Sequence, residues 1–360
     1  MRFSNILLVL GNHSHRVSAF RRAAEFARNA GADLTVCEVV AWADSDYSGY
    51  LTEATSRKLL DKIVAERTMR LQQMIDSCDI GDLRTAAKVL VGKPRFEIAH
   101  SVRANHYDLV IKTFESRRGI RHLADRRDDR DLVRNCPCPV WLLNAAEPER
   151  GGCILAALDM PAGRAEGNEL NRHILEMSRA IAVAEGRPLH IVHAWRLPEK
   201  GGLRARGVPA TEMQFDRMIV REVAKRSRWL RNTVDTVMGD SRRNGNDGVV
   251  PELHLLKGHA KSIIPDFAEE LGAELVVVGT AGRTGVSGVV YGNTSEKIMP
   301  RSDRSLLIVK RPERMPAAVV PLHGAQRTSC APSMDWSGTK HSTEDTARPS
   351  RKKSVEVHTT

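Results

Sequence analysis

The sequence predicts an α/β protein built from two similar units, each a five-stranded parallel sheet with helices on both faces. The first observation is that apolar, strand-like runs alternate with helix-length segments from residue 5 to residue 310, a pattern typical of parallel sheets covered by helices. The second is an internal repeat, in which similar residues recur at a constant spacing of 166 positions. The matched positions include Gly92 with Gly258, Val110 with Val276 and Val140 with Leu306.

The elements of the two units follow one another in the same order. Each unit opens on an apolar strand, NILLVLG at residues 5–11 and CILAALD at residues 153–159, which are 148 positions apart. A helix follows, and a glycine closes it in both units, Gly31 in the first and Gly186 in the second, because glycine readily adopts the left-handed conformation that ends helices. Next come a second strand, a long helix, a third strand, a helix and a buried fourth strand. A loop, a last helix and the closing strand, VWLL or LLIV, complete each unit.

Length and composition indicate the number of domains. The chain has 360 residues, of which 41% are hydrophobic, enough for two domains with cores of their own. We predict an N-terminal domain over residues 1–147, the first unit, and a C-terminal domain over residues 151–312, the second unit. Residues 313–360 are rich in Pro, Ser, Thr and charge and show no sustained periodicity, so we predict a disordered tail there.

The formal charge of +11 invites a nucleic-acid interpretation, but other features argue against it. Aromatic residues make up only 4% of the chain, and no nucleic-acid-reading motif is present. Between residues 112 and 134 basic residues alternate with acidic ones, so their fields largely cancel. Nucleic acid is therefore not an expected partner.

Hydropathy and cysteine usage predict a cytoplasmic protein without a membrane partner. The apolar run from Ile6 to Leu10 is too short for a signal-peptide core, and no run approaches the roughly 18 residues that span a membrane. The six cysteines lack the spacing of a disulfide framework, as expected in a reducing compartment. Cys136 and Cys138 form a close pair, for which a turn into the next strand is favoured and a metal site is the alternative.

A glycine-rich segment after the strand LVVV of the second unit is a candidate phosphate site. It lacks the Gly-x-x-x-x-Gly-Lys-Ser/Thr loop of NTPases and the Gly-x-Gly-x-x-Gly of dinucleotide folds. Gly279 lies at a strand end, where glycine lets the backbone approach a ligand closely. Asn293 and Glu296 have the spacing of a capping box, so a helix N-terminus able to bind anions should follow Gly292. From spacing alone, a simple turn and helix cap explain the segment equally well.

Several segments together resemble the universal stress protein family. They are the loop with Gly279, Gly282 and, after nine further residues, Gly292, the strand ILAALD, the strand LHIVHAW, the turn and helix KGHAKSII, and the closing LLIVKRP. Both units carry the pattern, so the chain resembles a tandem member, most similar to the E-type branch found in Gram-negative bacteria. The resemblance implies Rossmann-like domains of the adenine nucleotide α-hydrolase-like or flavodoxin-like type. It also implies a role in the stress response and ATP, with or without Mg²⁺, bound at the strand ends.

The resemblance further implies which residues of the second unit bind the nucleotide. Asp159 would contact the adenosine end, and Gly292, Asn293 and Thr294 would bind phosphate at the helix start. The full set implied in this way is Ala157, Asp159, Ala194, Val278, Gly279, Gly282, Arg283, Gly292, Asn293 and Thr294.

The sequence departs from the family pattern in two places. The family has Ser or Thr directly after the third glycine, where this chain has Asn293 and a hydroxyl only at Thr294. The first unit lacks the glycines: the counterparts of Gly279, Gly282, Gly292 and Asn293 are Thr113, Ser116, Arg126 and Arg127, and that of Asp159 is Gly11. Large side chains would obstruct the approach of phosphate to the backbone, so we predict that the first unit does not bind nucleotide. Arginines that grip an anion in another way are the alternative.

Three functions remain open on the sequence. The favoured one is a cytoplasmic sensor or regulator whose second unit binds ATP or a related adenine nucleotide. A weak ATPase is less favoured, because the loop offers no general base with an orienting partner and His193, on an apolar strand, is expected to be a packed core residue. The third is an assembly or small-ligand-binding module without nucleotide. We expect the two units to pair with each other within the chain, and a homodimer is a further possibility.

Overall fold

A computed structural model describes residues 3–11, 15–42, 52–114, 122–144, 152–161, 165–196, 211–243, 249–280 and 304–310. Elements of the first unit alternate between strand and helix: β1 (Asn5–Val9), α1 (Arg16–Ala30), β2 (Asp33–Val40), α2 (Glu53–Asp76), β3 (Thr85–Val91), α3 (Pro94–Asn105), β4 (Leu109–Phe114), α4 (His122–Asn135) and β5 (Val140–Asn144). The described elements of the second unit are β6 (Cys153–Ala157), α5 (Ala165–Glu185), β7 (Leu189–Trp195), α6 (Glu212–Arg243), β8 (Glu252–Lys257), α7 (Ala260–Glu270), β9 (Ala273–Gly279) and β10 (Ser305–Val309). They follow the order of the first unit up to β9, and the last helix predicted before β10 falls in residues 281–303, outside the described residues.

The ten strands of the described residues form one continuous sheet in the order β3-β2-β1-β4-β5-β10-β9-β6-β7-β8. Within each unit all neighbouring strands are parallel, so the predicted α/β architecture with five parallel strands per unit is confirmed. The structure adds that the two sheets join, because β5 and β10 pair in the antiparallel direction. The predicted domain boundary, at residues 148–150, lies outside the described residues and stays a prediction.

The junction between β5 and β10 is locally symmetric. Trp141 lies opposite Leu307, its counterpart 166 positions later. On either side the pairing exchanges counterparts, since Val140 faces Ile308 and Leu142 faces Leu306. The two units are therefore related by an approximate two-fold axis near Trp141, as in the isologous interface of a symmetric dimer.

Apolar side chains fill both faces of the sheet. The central strand of each unit carries a continuous apolar run, ILLV in β1 and CILAA in β6, as required when helices cover both faces. On the face of α1 and α5, Trp141 packs edge to face against Phe26 at 5.3 Å, and Phe26 packs in the same way against Phe3. The predicted helix ends are also found, because Gly31 and Gly186 both adopt positive φ, 67° and 61°.

Four charged side chains meet where helix α1 of the first unit approaches the second unit. Arg22 forms ion pairs with Glu274 and, at 3.7 Å, with Glu185. Arg187 reaches Glu274 at 3.1 Å. All four side chains are at most one quarter exposed, and burial raises the pKa of the Glu185 carboxyl. This buried network connects the two units beside the strand junction.

The described helices include no candidate membrane span, because none is both long enough and apolar enough to cross a bilayer.

Candidate functional site

The second unit contains a point where the chain turns away in opposite directions from two neighbouring strands. β6 and β9 lie side by side, with Ala156 opposite Val277. The chain continues from β6 to β7 on one side and from β9 to β10 on the other. In parallel sheets such a divergence opens a crevice beyond the carboxyl ends of the strands, where ligands bind.

Five of the predicted site residues lie at this carboxyl edge. They are Ala157 and Asp159 at the end of β6, Ala194 in β7, and Val278 and Gly279 in β9. Val278 is buried and Asp159 is exposed, while the other three are partly buried. The fold thus brings together residues from three adjacent strands that are up to 122 positions apart in the chain.

A side chain of helix α5 holds the backbone at Asp159. The Asp159 N–H donates to Oδ1 of Asn171 at 3.3 Å, and Nδ2 of Asn171 donates to the Asp159 carbonyl at 2.8 Å. Asn171 is only 3% exposed, so these two hydrogen bonds are shielded from water. They fix the direction of the chain directly after β6.

His193 lies beside this edge as a packed core residue. Its Nδ1 is 3.0 Å from the carbonyl oxygen of Leu158, and because a carbonyl oxygen only accepts, Nδ1 carries the proton of this bond. The imidazole ring meets Trp229 of α6 edge to face, with 5.0 Å between ring centroids. With 3% exposure, the predicted core role of His193 is confirmed.

Gly279 allows helix α5 to approach the end of β9 closely. A Cβ at this position would lie 2.7 Å from Cδ2 of Leu170 and 3.1 Å from Cδ1 of Ile174. Ordinary contacts between carbon atoms are about 3.5–4.0 Å. Gly279 therefore has a packing function that is independent of any ligand.

We expect Gly279→Ala to lower the free energy of unfolding by about 1–3 kcal/mol, because the added methyl group overpacks this contact. Leu170→Ala removes Cγ and Cδ2, the atoms nearest to the added methyl group. The double variant should therefore lose less stability than the sum of the two single losses. Urea unfolding of both single variants and the double variant measures the coupling. Strictly additive losses would contradict the packing role.

A side chain crosses the corresponding edge of the first unit. Thr113, at the position of Gly279, accepts a hydrogen bond from the Gly11 N–H through Oγ1 at 3.0 Å. The same hydroxyl lies 3.4 Å from the Val9 carbonyl, to which it donates. Thr113 thus bridges the ends of β1 and β4, where the second unit has glycine.

Charged side chains occupy the same region of the first unit. Glu38 of β2, at the register position of His193, is 5% exposed. It forms ion pairs with Arg16 and, at 3.1 Å, with Arg67. Burial lowers the pKa of the Arg16 guanidinium, and the charge of Arg67 adds to this. Because Arg16 stands at the repeat position of Asn171, an ion pair replaces the neutral groups of the second unit.

Comparison with known proteins places this repeated fold. The sequence model of the universal stress protein family matches the chain twice, over residues 2–144 and 154–310. The chain belongs to the universal stress protein family. Universal stress protein E of Salmonella typhi is 23% identical over 313 residues, which are 86% of this chain and 95% of that protein. The predicted tandem organisation of the E type is confirmed.

A solved structure shares the fold over most of the chain. A functionally unknown protein of Pseudomonas aeruginosa, PA1789, superposes with a TM-score of 0.57 at 23% identity and covers 86% of this chain and 93% of its own. A universal stress protein in complex with cAMP covers 41% of this chain at 12% identity, with a TM-score of 0.30.

The remaining site residues predicted for this universal stress protein lie outside the described residues. They are Gly282, Arg283, Gly292, Asn293 and Thr294. Their contacts with phosphate, and the capping box that starts at Asn293, stay predictions.

Sequence reasoning missed the polar groups contributed by the first helix of each unit. Asn171 interrupts an apolar helix face that includes Leu170 and Ile174, and a buried amide must find hydrogen-bond partners. Arg16 stands at the same place in the repeat when the two helices are aligned on their closing glycines. Polar residues at matched positions of two otherwise apolar helix faces were the signal.

The cysteine pair lies in the short connection from α4 to β5, where the turn interpretation places it. Cys136 Sγ and Cys138 Sγ are 3.6 Å apart and both residues are buried. The hydrogen bond with the neighbouring Cys136 thiol and burial both raise the pKa of Cys138, as expected for a protonated core thiol.

Proposed function

We propose that the second unit of this universal stress protein binds ATP or a related adenine nucleotide and acts as a sensor or regulator in the stress response. The nucleotide would lie beyond the carboxyl ends of β6 and β9. Ala157, Asp159, Ala194, Val278 and Gly279 would border the adenosine. Phosphate would meet the following segment, with Gly282, Arg283, Gly292, Asn293 and Thr294, and Mg²⁺ would accompany it as a counter-ion.

The contrast between Thr113 and Gly279 carries this proposal. In the first unit the Thr113 hydroxyl links the two strand ends at the switch point. In the second unit the same position has no side chain, and Asn171 of α5 takes over the support of the Asp159 backbone. Among the described residues, the strand end of β6 is thus supported from helix α5 rather than by a side chain of β9. This difference supports a ligand site at the strand ends of the second unit rather than the first.

A sensing role fits the chemistry of the described side chains better than hydrolysis. Bound nucleotide supplies binding energy that stabilises the state it binds. His193, the imidazole beside the strand ends, is buried and its Nδ1 proton is engaged by the Leu158 carbonyl. A histidine in this position links β7 to the residue after β6 and is poorly placed to activate water.

We further propose that the two units pair within one chain in the cytoplasm. The antiparallel β5–β10 pairing and the network of Arg22 with Glu274 support the pairing. Five free, buried cysteines in the described ranges fit a reducing compartment.

Calorimetric titration of the full chain with ATP and Mg²⁺ tests the nucleotide proposal. The wild-type chain should give a saturable heat, and Gly282→Val should abolish it, because the branched side chain blocks the backbone approach. Ser116→Val, at the counterpart position of the first unit, is the matched control and should bind like the wild type.

No saturable heat from the wild-type chain would refute nucleotide binding and favour the assembly or small-ligand module. Equal loss in both variants would place the site elsewhere. If ATP binds, phosphate release over hours separates a sensor, which leaves ATP intact, from a weak ATPase.

A further inference from the structure

Two histidines and a glutamate meet on β7 and β8, the last two strands of the sheet, away from the carboxyl ends of β6 and β9 where the nucleotide is proposed to bind. His190 lies in β7, and Glu252 and His254 lie in β8, with His190 directly opposite Glu252 in the register. Nδ1 of His190 is 3.0 Å from Nε2 of His254. The Glu252 carboxylate lies 3.6 Å from the first nitrogen and 3.9 Å from the second.

These distances match the edges of a tetrahedral metal site. With zinc–ligand bonds of about 2.0–2.2 Å, neighbouring ligand atoms of a tetrahedron lie about 3.3–3.6 Å apart. One ligand atom from each of the three residues lies within 4.8 Å of the other two. We propose that His190, Glu252 and His254 bind Zn²⁺, with a fourth position open to water or another ligand.

The strand positions explain why the three side chains converge. Glu252 and His254 are two residues apart on β8, so both project from the same face of the strand. His190 projects from that face of β7, since it pairs in register with Glu252. Backbone hydrogen bonds of two adjacent strands thus set the ligand spacing before any metal binds, which lowers the ordering cost of binding.

Neighbouring groups favour ligation by neutral imidazole. Phe267 of α7 meets the His254 ring edge to face at 4.9 Å and restricts its orientation. The hydrogen shared by His190 and His254 would move to the other nitrogen of its ring, a tautomer change that leaves both rings neutral.

The first unit serves as an internal reference, because the same face of its edge strands carries no such set. At the register positions of His190, Glu252 and His254 stand Thr35, Ala86 and Lys88. The ammonium of Lys88 lies 3.3 Å from Ser101 Oγ. The first unit thus forms the same two strands without the histidine cluster, so the fold itself does not require it.

A bound ion would fasten an edge of the sheet. β8 is the last strand in the sheet order and pairs with β7 on one side. A metal held by both strands adds a cross-link to that pairing, so zinc should stabilise the folded chain. The Glu252 side chain is 68% exposed, so the site lies at the protein surface, where water or another ligand can reach the fourth position.

Metal binding by the full chain, freed of metal with a chelator and kept without nucleotide, tests the site. Zn²⁺ affinity is measured by competition with a chromophoric chelator, and Co²⁺ serves as the spectroscopic probe. We expect one equivalent per chain and the visible bands of tetrahedral Co²⁺ without the strong near-ultraviolet bands of thiolate ligands. His254→Gln and His190→Gln should weaken binding at least about 100-fold, and Glu252→Gln about tenfold.

His100→Gln, at an exposed histidine of α3 in the first unit, is the matched control and should bind like the wild type. Zinc should raise the Tm of the wild-type chain by a few degrees and leave that of His254→Gln unchanged. Glu252→Gln alters an exposed side chain and carries the test if a histidine variant does not fold. No saturable binding, thiolate bands, or wild-type affinity in Glu252→Gln and both histidine variants would overturn the proposal.

Discussion

Replacing Trp141 by alanine is expected to lower the free energy of unfolding by about 3–5 kcal/mol, because the cavity forms in the core at the junction of the two units. The Trp141 side chain is 1% exposed. Its ring packs edge to face against Phe26, and the guanidinium of Arg22 lies 5.7 Å from its centroid. It also stands opposite Leu307 near the two-fold axis. Urea unfolding followed by far-ultraviolet circular dichroism, which does not depend on tryptophan emission, measures the loss.

Two further variants make this result specific to the junction. Trp141→Phe keeps an aromatic partner for Phe26 and should lose less than half as much. Val220→Ala removes methyl groups from a side chain that is 67% exposed, and should stay within about 0.5 kcal/mol of the wild type. A loss below about 1 kcal/mol for Trp141→Ala would contradict its place in a closely packed core.

The order of elements was predictable because each one depends on local patterns. Apolar runs long enough for a strand, helix-length segments between them and the closing glycines Gly31 and Gly186 are all visible in one stretch of sequence. The repeat then required both units to share one topology. Pairing of the two units was expected, but its route through β5 and β10 was not predictable, because these strands read as buried whether their free edge meets another unit or is covered by a helix.

The candidate site, too, could be predicted in part from the sequence. Its position at the ends of β6 and β9 follows from a general rule for parallel sheets, so Asp159 and Gly279 could be named from the sequence. The contact of Gly279 with Leu170 could not, because it depends on where helix α5 lies over the sheet. Arg16 and Glu38 of the first unit occupy the places of Asn171 and His193, and this could not be recognised from the sequence either. It requires knowing both how the helices of the two units align and how their strands align.

The network around Arg22 indicates that the units are joined by charge as well as by apolar packing. Arg22 carries the positive charge that the first unit contributes, while Glu185 and Glu274 belong to the second unit. The carboxylates are 12% and 11% exposed, so their charges are poorly solvated. Arg187 of the second unit reaches only one of them within ion-pair distance, Glu274 at 3.1 Å, and so cannot replace Arg22.

Arg22→Met is expected to destabilise the chain by about 3–5 kcal/mol at neutral pH, because it removes the cation within ion-pair distance of Glu185 and leaves Glu274 with Arg187 alone. Burial already raises the pKa of Glu185, and Arg22 opposes that rise. A carboxyl with a raised pKa in the folded state costs stability above that pKa and stops costing it as the pH falls and the group binds a proton. The loss should therefore be largest near about pH 7.5 and shrink toward about pH 5, as urea unfolding at both values would show.

Arg21→Met, at the exposed neighbouring arginine of α1, should change stability little at either pH. A loss for Arg22→Met that does not vary with pH would show that Glu185 takes no part in the network.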